Sequence, residues 1–336
     1  MAREHVELLL ASIARASKVL ILPHNDPDPD AIASAVALRH LLAERAGVEA
    51  RIAYKGVIGR AENKAMVRFL GQPLRRLANS DLARADILAL VDTQPGAGNN
   101  PLPPDHSPGI VIDHHPWHEA TAGAKFADVR TELGATSTIL TEYLRSASLE
   151  PDPPLATALF YGIKTDTMGL GRGASRLDAS AYSYLQPRID VDALVEIEQA
   201  QVPVEYFRTF DRALHAVRAY GDVLIAYIGQ MHYPDSAAEV ADLLLRLEGT
   251  RWVICMGVYQ DELILSIRTR SWRGGAGRLA RSLVGHRGSA GGHGAMAAGH
   301  LLLNDGTDAE QLAREISQRA LQLLGVPPDI IGEPLI

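Results

Sequence analysis

The 336-residue chain has one cysteine, Cys255, so no disulfide can form within it; inside the apolar run WVICMGV that thiol reads as a small buried hydrophobe rather than a nucleophile. It also lacks any unbroken apolar run of about 18 residues, which argues against a membrane-spanning helix. Positive charge is short as well. Lys and Arg number 33 against 40 Asp and Glu, and a net charge of -7 offers no bulk field for a long polyanion. Internal repeats and low-complexity tracts are missing, which sets aside solenoids and disordered tails. The opening MAREHVELLLASIARASK carries charge where a signal core must be apolar and has no cleavage-type site, so a soluble, cytoplasmic protein is expected. What remains, 47% hydrophobic and 22% charged, is ordinary globular composition, and the length exceeds what one core usually serves. Two domains are expected.

The hydrophobic pattern is α/β throughout. In residues 1–189 it predicts a parallel-sheet domain. Helices fall at Glu4–Ala16, Ala31–Ala46 (closed by Gly47), Glu62–Leu70, Ala135–Ser146 and Leu155–Gly162, with strands at Lys18–Pro23, Glu49–Tyr54, Ile87–Val91 and Gly109–Ile112. The Pro-, Gly- and Asn-rich stretch Gln94–Pro108 is expected on the surface. Residues 190–220 read as a helical connector broken by Pro203. A smaller α/β domain at 221–336 follows: strand DVLIAYI, helix SAAEVADLLLRLEG, strands RWVICMGVYQ and DELILSIRT about a Gln-Asp turn, a glycine-rich segment, a helix at Ala309–Leu324 and a loosely held tail, GVPPDIIGEPLI.

The stretch HNDPDPDAIAS crowds His24, Asp26, Asp28 and Asp30 directly behind the apolar run Val19–Leu22. Two further buried strands end alike, ILALV at Asp92 and GIVI at Asp113-His114-His115. In open α/β sheets the carboxyl ends of the strands face the ligand crevice, so these groups should converge. Carboxylates so close cannot all stay ionised without a compensating cation, and a divalent ion supplies one. Singly, each could be a solvated helix start or a surface imidazole; jointly they point to a metal centre. Pro27 and Pro29 stiffen the loop, and Asp30 is expected at the N-cap of the Ala31 helix, aimed at the same crevice. One segment can then serve two divalent ions, with Asp92 bridging, His114 joining the second and Asp166 of YGIKTDT as the last ligand. Mixed His/Asp ligation favours manganese, or another imidazole-tolerant first-row ion such as cobalt, over magnesium.

The series His24-x-x-x-Asp28-x-Asp30-Ala31, Asp92, Asp113-His114-His115 and Asp166 resembles the DHH phosphoesterase family. The segment Ala290-Gly291-Gly292-His293-Gly294-Ala295-Met296-Ala297-Ala298-Gly299 is similar to the signature of the DHH-associated substrate domain, so the resemblance covers nearly the whole chain. It implies one ion on His24, Asp28 and Asp92 and another on Asp30, Asp92, His114 and Asp166. His115 is left to contact the phosphoryl group, and Asp113 to hold an imidazole. His115, Asp92 and Asp113 are thus the expected catalytic set, and hydrolysis of a phosphate ester or anhydride the expected reaction.

For the second domain the residues speak through charge. Between Glu262 and Asp305 there is no acidic residue, while Arg268, Arg270, Arg273, Arg278, Arg281 and Arg287 all fall there. Guanidinium forks and glycine-exposed backbone N–H groups suit an anion. Arg278 and Arg281 read as solvated helix residues; Arg268, Arg270, Gly291, Gly292 and His293 are the candidate substrate-binding residues. Within the resemblance, the glycine-rich signature and compact length point to enzymes acting on short single-stranded RNA or DNA oligonucleotides or on the nucleotide pAp, and family analogy suggests a homodimer. Polyphosphate or cyclic-dinucleotide hydrolysis, and a catalytically idle nucleotide-binding module, are the alternatives. Three departures bear on substrate and none on a ligand: TQPGAGNNP after Asp92 where the short-RNA enzymes carry Arg and Gly, Thr167-Met168-Gly169-Leu170 in place of Thr-Gly-x-Phe, and Ala290 for the first glycine of the signature.

Overall fold

A computed structural model describes residues 2–271, 274–304 and 306–336, except the side chain of His293. The chain divides into two compact units, Met1–Gln201 and Val202–Ile336. The division falls inside the stretch read as a connector.

In the first unit α1 (Ala2–Ser12) leads into β1 (Lys18–Pro23), α2 (Pro29–Ala46), β2 (Glu49–Tyr54), α3 (Ala61–Phe69), β3 (Leu74–Arg76), α4 (Asn79–Arg84), β4 (Ile87–Val91), β5 (Ile110–Asp113) and β6 (Phe126–Val129). Helices α5 (Thr136–Ser146), α6 (Pro153–Asp166), α7 (Arg176–Leu185) and α8 (Val191–Glu198) follow. The strands form one sheet in the order β3-β2-β1-β4-β5-β6, with every pairing parallel. Such strands are covered on both faces, hence the unbroken apolar runs. Alternate residues serve the two sides: Val19, Ile21, Ala89, Val91 and Ile112 join the larger core, and Leu20, Leu22, Leu88, Leu90 and Val111 the smaller. The strand order reverses between β1 and β4. That switch point leaves a crevice beyond their carboxyl ends, where His24 and Asp92 come next in the chain.

The second unit comprises α9 (Val204–Ala216), β7 (Arg218–Tyr220), β8 (Val223–Gln230), α10 (Ser236–Leu244), β9 (Trp252–Tyr259), β10 (Glu262–Thr269), α11 (Ala276–Val284), β11 (Gly288–His293), β12 (Met296–Leu302), α12 (Ala309–Leu324) and β13 (Glu333–Pro334). Its sheet runs β11-β12-β10-β9-β8-β7-β13, with β8 and β9 parallel and the other pairs antiparallel.

The expected α/β architecture of both parts holds, and the structure adds what the pattern left out. The short β3, α4 and β6 and the helix α7 are additional elements, and the glycine-rich segment folds into the hairpin β11–β12. Pro203 caps α9. The expected loose tail is instead tied down: Glu333 and Pro334 pair with Ala219 and Arg218, and Gly332 lies so close to Tyr220 that a Cβ there would stand 2.5 Å from the ring. Two ladder residues in a tail broken by three prolines leave no periodicity for a sequence to display. Among the described residues no helix is long and apolar enough to cross a membrane.

Candidate metal centre

The turn from β1 into α2 builds half the centre. Asp28, not Asp30, is the N-cap: its Oδ1 accepts from Ala31 N at 3.0 Å, with Pro29 at the start of the helix. Proline tolerates the first helical turn because no amide hydrogen is needed there, which moves the start upstream of the expected Ala31. Asp30 is therefore inside the first turn and fully buried. Its two oxygens accept from Thr136 N (2.7 Å) and Ser137 N (2.8 Å), so the amino end of α5 grips this carboxylate. The approach needs Gly162 on α6, where a Cβ would lie 2.6 Å from Ser137 Oγ and 3.1 Å from Asp30 Cα.

Asp92 follows β4 with φ 60, the left-handed region that few residues other than glycine occupy. Both its oxygens are engaged: Oδ1 accepts from Thr136 Oγ1 at 2.8 Å and lies 3.6 Å from His114 Nε2, while Oδ2 lies 3.6 Å from His24 Nε2. His24 Nε2 is also 3.5 Å from Asp28 Oδ1, and His114 Nε2 is 3.4 Å from Asp166 Oδ2 at the end of α6. The rings are held from behind, His24 Nδ1 by Asn25 O (2.7 Å) and His114 Nδ1 by Leu133 O (3.2 Å), which directs each Nε2 toward the carboxylates. The loop carrying Leu133 is pinned in turn by buried Asp178, which accepts from Gly134 N at 2.9 Å and Thr138 Oγ1 at 2.6 Å.

Among the described residues, three groups bring one ligand atom each to within 4.8 Å of one another: His24, Asp28 and Asp92; Asp30, His114 and Asp166; and Asp92, His114 and His115. All six expected ligands are thus gathered, Asp92 belonging to the first and third groups and His114 to the second and third. The electrostatics fit cations. Burial raises the carboxyl of Asp30 to about 7, with the Asp92 charge adding to it, and burial raises Asp92 and Asp166 to about 6. Burial opposes charge on His24, yet the Asp28 and Asp92 carboxylates outweigh it and raise the imidazole to about 10. Asp28 is depressed despite burial by the His24 charge and hydrogen bond. Protons are thereby held in a pocket of oxygen and imidazole donors, which is the work a divalent ion does in their place.

Beside this pocket, Asp113 closes β5. Its Oδ1 takes His114 N and His115 Nδ1, each at 2.9 Å, and buried Gln94 donates to its Oδ2 at 2.7 Å. Burial works against the charge, but the His115 hydrogen bond and the imidazole charges hold Asp113 below the ordinary carboxylate range. His115 is about one-third exposed and in reach of Asp92 Oδ1 at 3.7 Å, so it is the imidazole turned outward. The Gln94–Pro108 stretch was expected on the surface, yet Gln94 is 1% exposed. Thr136, Asp178 and Gln94 carry no sequence signal, being single polar residues whose partners lie far along the chain.

In the second unit Arg268, in β10, is buried and bonded through Nε to Asp242 Oδ1 at 2.5 Å and through Nη1 to Ser266 Oγ at 3.0 Å. Arg270 bonds Leu245 O at 2.9 Å. Gly291 and Gly292 pair with Ala298 and Ala297 in the β11–β12 hairpin, and at Gly292 (φ 134) a Cβ would lie 2.4 Å from Met296 O. Arg278 and Arg281 lie on α11, as expected. Arg273 and the side chain of His293 fall outside the described residues.

The DHH family, N-terminal domain, matches residues 18–163. An uncharacterized protein of Methanocaldococcus jannaschii is 38% identical over 321 residues, 93% of this chain and 65% of its own. A probable manganese-dependent inorganic pyrophosphatase of Deinococcus radiodurans is 30% identical over 169 residues, 50% of this chain and 52% of that protein. The chain thus spans about half to two-thirds of these relatives. Among solved structures, an exopolyphosphatase-related protein from Bacteroides fragilis covers 95% of this chain and 96% of its own at TM-score 0.73 and 16% identity. RecJ from Thermus thermophilus, crystallised with manganese, covers 98% of this chain and 55% of its own at TM-score 0.56 and 14% identity. At such identities the likeness is one of fold.

Proposed function

The chain carries a DHH-family domain over residues 18–163, and from that premise we propose that it is a metal-dependent phosphoesterase acting on short single-stranded oligonucleotides or small nucleotides. The observation that carries the proposal is the gathering of His24, Asp28 and Asp92 into one set and of Asp30, His114 and Asp166 into another, with Asp92 and His114, 3.6 Å apart, linking the two. In this reading His24, Asp28 and Asp92 hold one divalent ion, and Asp30, Asp92, His114 and Asp166 the other. Manganese suits the donor mixture, and the pyrophosphatase relatives are named for it. Bound there, the ions supply an acidified water and charge neutralisation of the phosphoryl oxygens. The protein's own part is orientation: Asp113 fixes the ring of His115, which faces outward to meet a phosphoryl oxygen, and Thr136 aligns the carboxylate of Asp92.

The acid-free, arginine-rich segment of the second unit supports an anionic substrate, with Arg268, Arg270, Gly291, Gly292 and His293 as its proposed contacts. Asp242 would orient the Arg268 fork. The net charge of -7 supports a small substrate over a long polymer. A soluble cytoplasmic homodimer is part of the proposal. The matches to proteins named as inorganic pyrophosphatases favour one second reading, hydrolysis of pyrophosphate or polyphosphate. Purified protein loaded with manganese, assayed on dinucleotide RNA, pAp, pyrophosphate and polyphosphate, separates the two. Release from the first pair is expected, and release confined to the second pair rejects the nucleotide assignment. No turnover on any of them, with metal bound, indicates an idle binding module.

A further inference from the structure

We infer that Gln94 is a positioning residue that sets the ring of His115 by way of Asp113 and fastens the chain segment beyond it. The inference rests on the phosphoesterase reading only in so far as His115 meets substrate. Gln94 comes two residues after Asp92 and opens the TQPGAGNN segment, where the sequence departs from the pattern it otherwise resembles. Its amide is satisfied at both ends. Nε2 donates to Asp113 Oδ2 at 2.7 Å and to Pro116 O at 3.0 Å, with His115 O at 3.3 Å; Oε1 accepts from His118 N at 2.8 Å and Thr121 Oγ1 at 2.9 Å.

The division of labour on Asp113 decides what this arrangement does. One oxygen holds His115 Nδ1 and His114 N; the other is held by Gln94. Asp113 is fully buried, so without an amide donor its second oxygen would need another partner, and turning the carboxylate to find one would turn the His115 ring with it. A glutamate of the same size would set like charges 2.7 Å apart. Only a side chain with a donor and an acceptor, long enough to span from Asp113 to Thr121, fits.

The same segment steadies the imidazole on the other flank. Asn99 O accepts from Asn25 N at 2.6 Å, and Asn25 O holds His24 Nδ1 at 2.7 Å. Thr93 Oγ1 donates to Asn99 Oδ1 at 2.7 Å, and Asn100 Nδ2 to Gln94 O at 2.8 Å, folding the segment on itself. The departure is thus a built brace.

The test is Gln94→Met in the full chain, alone and with His115→Ala, read by kcat, KM, manganese affinity and the hydrogen-bonded Nδ1 proton of His115 in the NMR spectrum of metal-free protein. Expected are a fall in kcat of about tenfold to a hundredfold, the range for removing an outer partner of a metal-site residue, KM and manganese affinity within about twofold of wild type, no further fall on the His115→Ala background, and loss of the Nδ1 signal. Losses that compound with His115→Ala, or an undisturbed Nδ1 signal, overturn the inference. If wild type hydrolyses no phosphoester, the proposed function falls and the Nδ1 signal alone decides for or against Gln94. Should the methionine variant not fold, Gln94→Glu, which keeps the bonds accepted at Oε1 and replaces the donor to Asp113 with a repelling charge, is read by kcat and the Nδ1 signal alone, with a fall in the first and loss of the second expected and an undisturbed Nδ1 signal overturning the inference.

Discussion

The two units carry their charge in opposite ways. In the first, a handful of carboxylates and imidazoles sit at strand and helix ends, most of them buried, and backbone groups or hydroxyls hold them: Asn25 O holds His24, Leu133 O holds His114, the α5 amides hold Asp30 and Thr136 Oγ1 holds Asp92. In the second, positive charge is spread along β10 and α11, and its most buried member, Arg268, is already bonded to Asp242. A preorganised cluster suits chemistry, which needs fixed geometry; a dispersed basic surface suits holding, which tolerates variation.

The largest separation between the units should come from Asp92→Asn. Losing the carboxylate that reaches both His24 and His114 is expected to lower turnover by several orders of magnitude and to reduce bound manganese, measured by elemental analysis alongside rate. Thr136→Val, which removes only the hydroxyl bond to Asp92, should cost about tenfold to a hundredfold in metal affinity or rate, read by calorimetry. Arg268→Ala should raise KM by about tenfold while leaving manganese affinity unchanged, and Arg278→Ala on the exposed face of α11 should stay within about twofold. An Arg268→Ala variant defective in kcat but normal in KM would dissolve the contrast between chemistry and holding.

The smallest effect expected is on stability against pH. In metal-free protein, Asp30 at about 7 and Asp92 and Asp166 at about 6 bind protons that their unfolded counterparts, near 3.8, have released. His24, raised to about 10, works in the same direction: its contribution is complete below 6.5 and fades as pH climbs through the folded value. The folded state holds the extra protons, so the contribution of these groups falls as pH rises from about 5 to 8. Manganese needs the deprotonated ligands, so its stabilising shift should grow over the same interval. Thermal unfolding with and without the metal, across that range, checks both slopes; a metal shift constant with pH would contradict the raised carboxyls.

What sequence could show follows the same division. Ligands at the ends of apolar runs were legible because a β-strand makes its terminus visible: Lys18–Pro23 and Ile87–Val91 are bounded in the structure as their composition predicts, and His24 and Asp92 follow directly. The N-cap lies at Asp28 rather than the expected Asp30 because either aspartate can cap a helix entering Ala31; Pro29 in the first turn and the bond from Ala31 N to Asp28 decide for the former, and Asp30 is left to the α5 amides. Thr136 and Gln94 were illegible for a different reason: they reach Asp92 and Asp113 across 44 and 19 positions of chain, with no local pattern to betray them. In the second unit β11–β12 was hidden because glycine and alanine carry little strand propensity.

The left-handed backbone at Asp92 narrows what that position can become. Asparagine and glycine occupy such a conformation readily, whereas alanine or a β-branched residue would be strained there by roughly 1–2 kcal/mol. A lineage abandoning metal chemistry but keeping its scaffold should therefore exchange this aspartate for asparagine or glycine before any other residue, leaving a mark that distinguishes retired members from active ones.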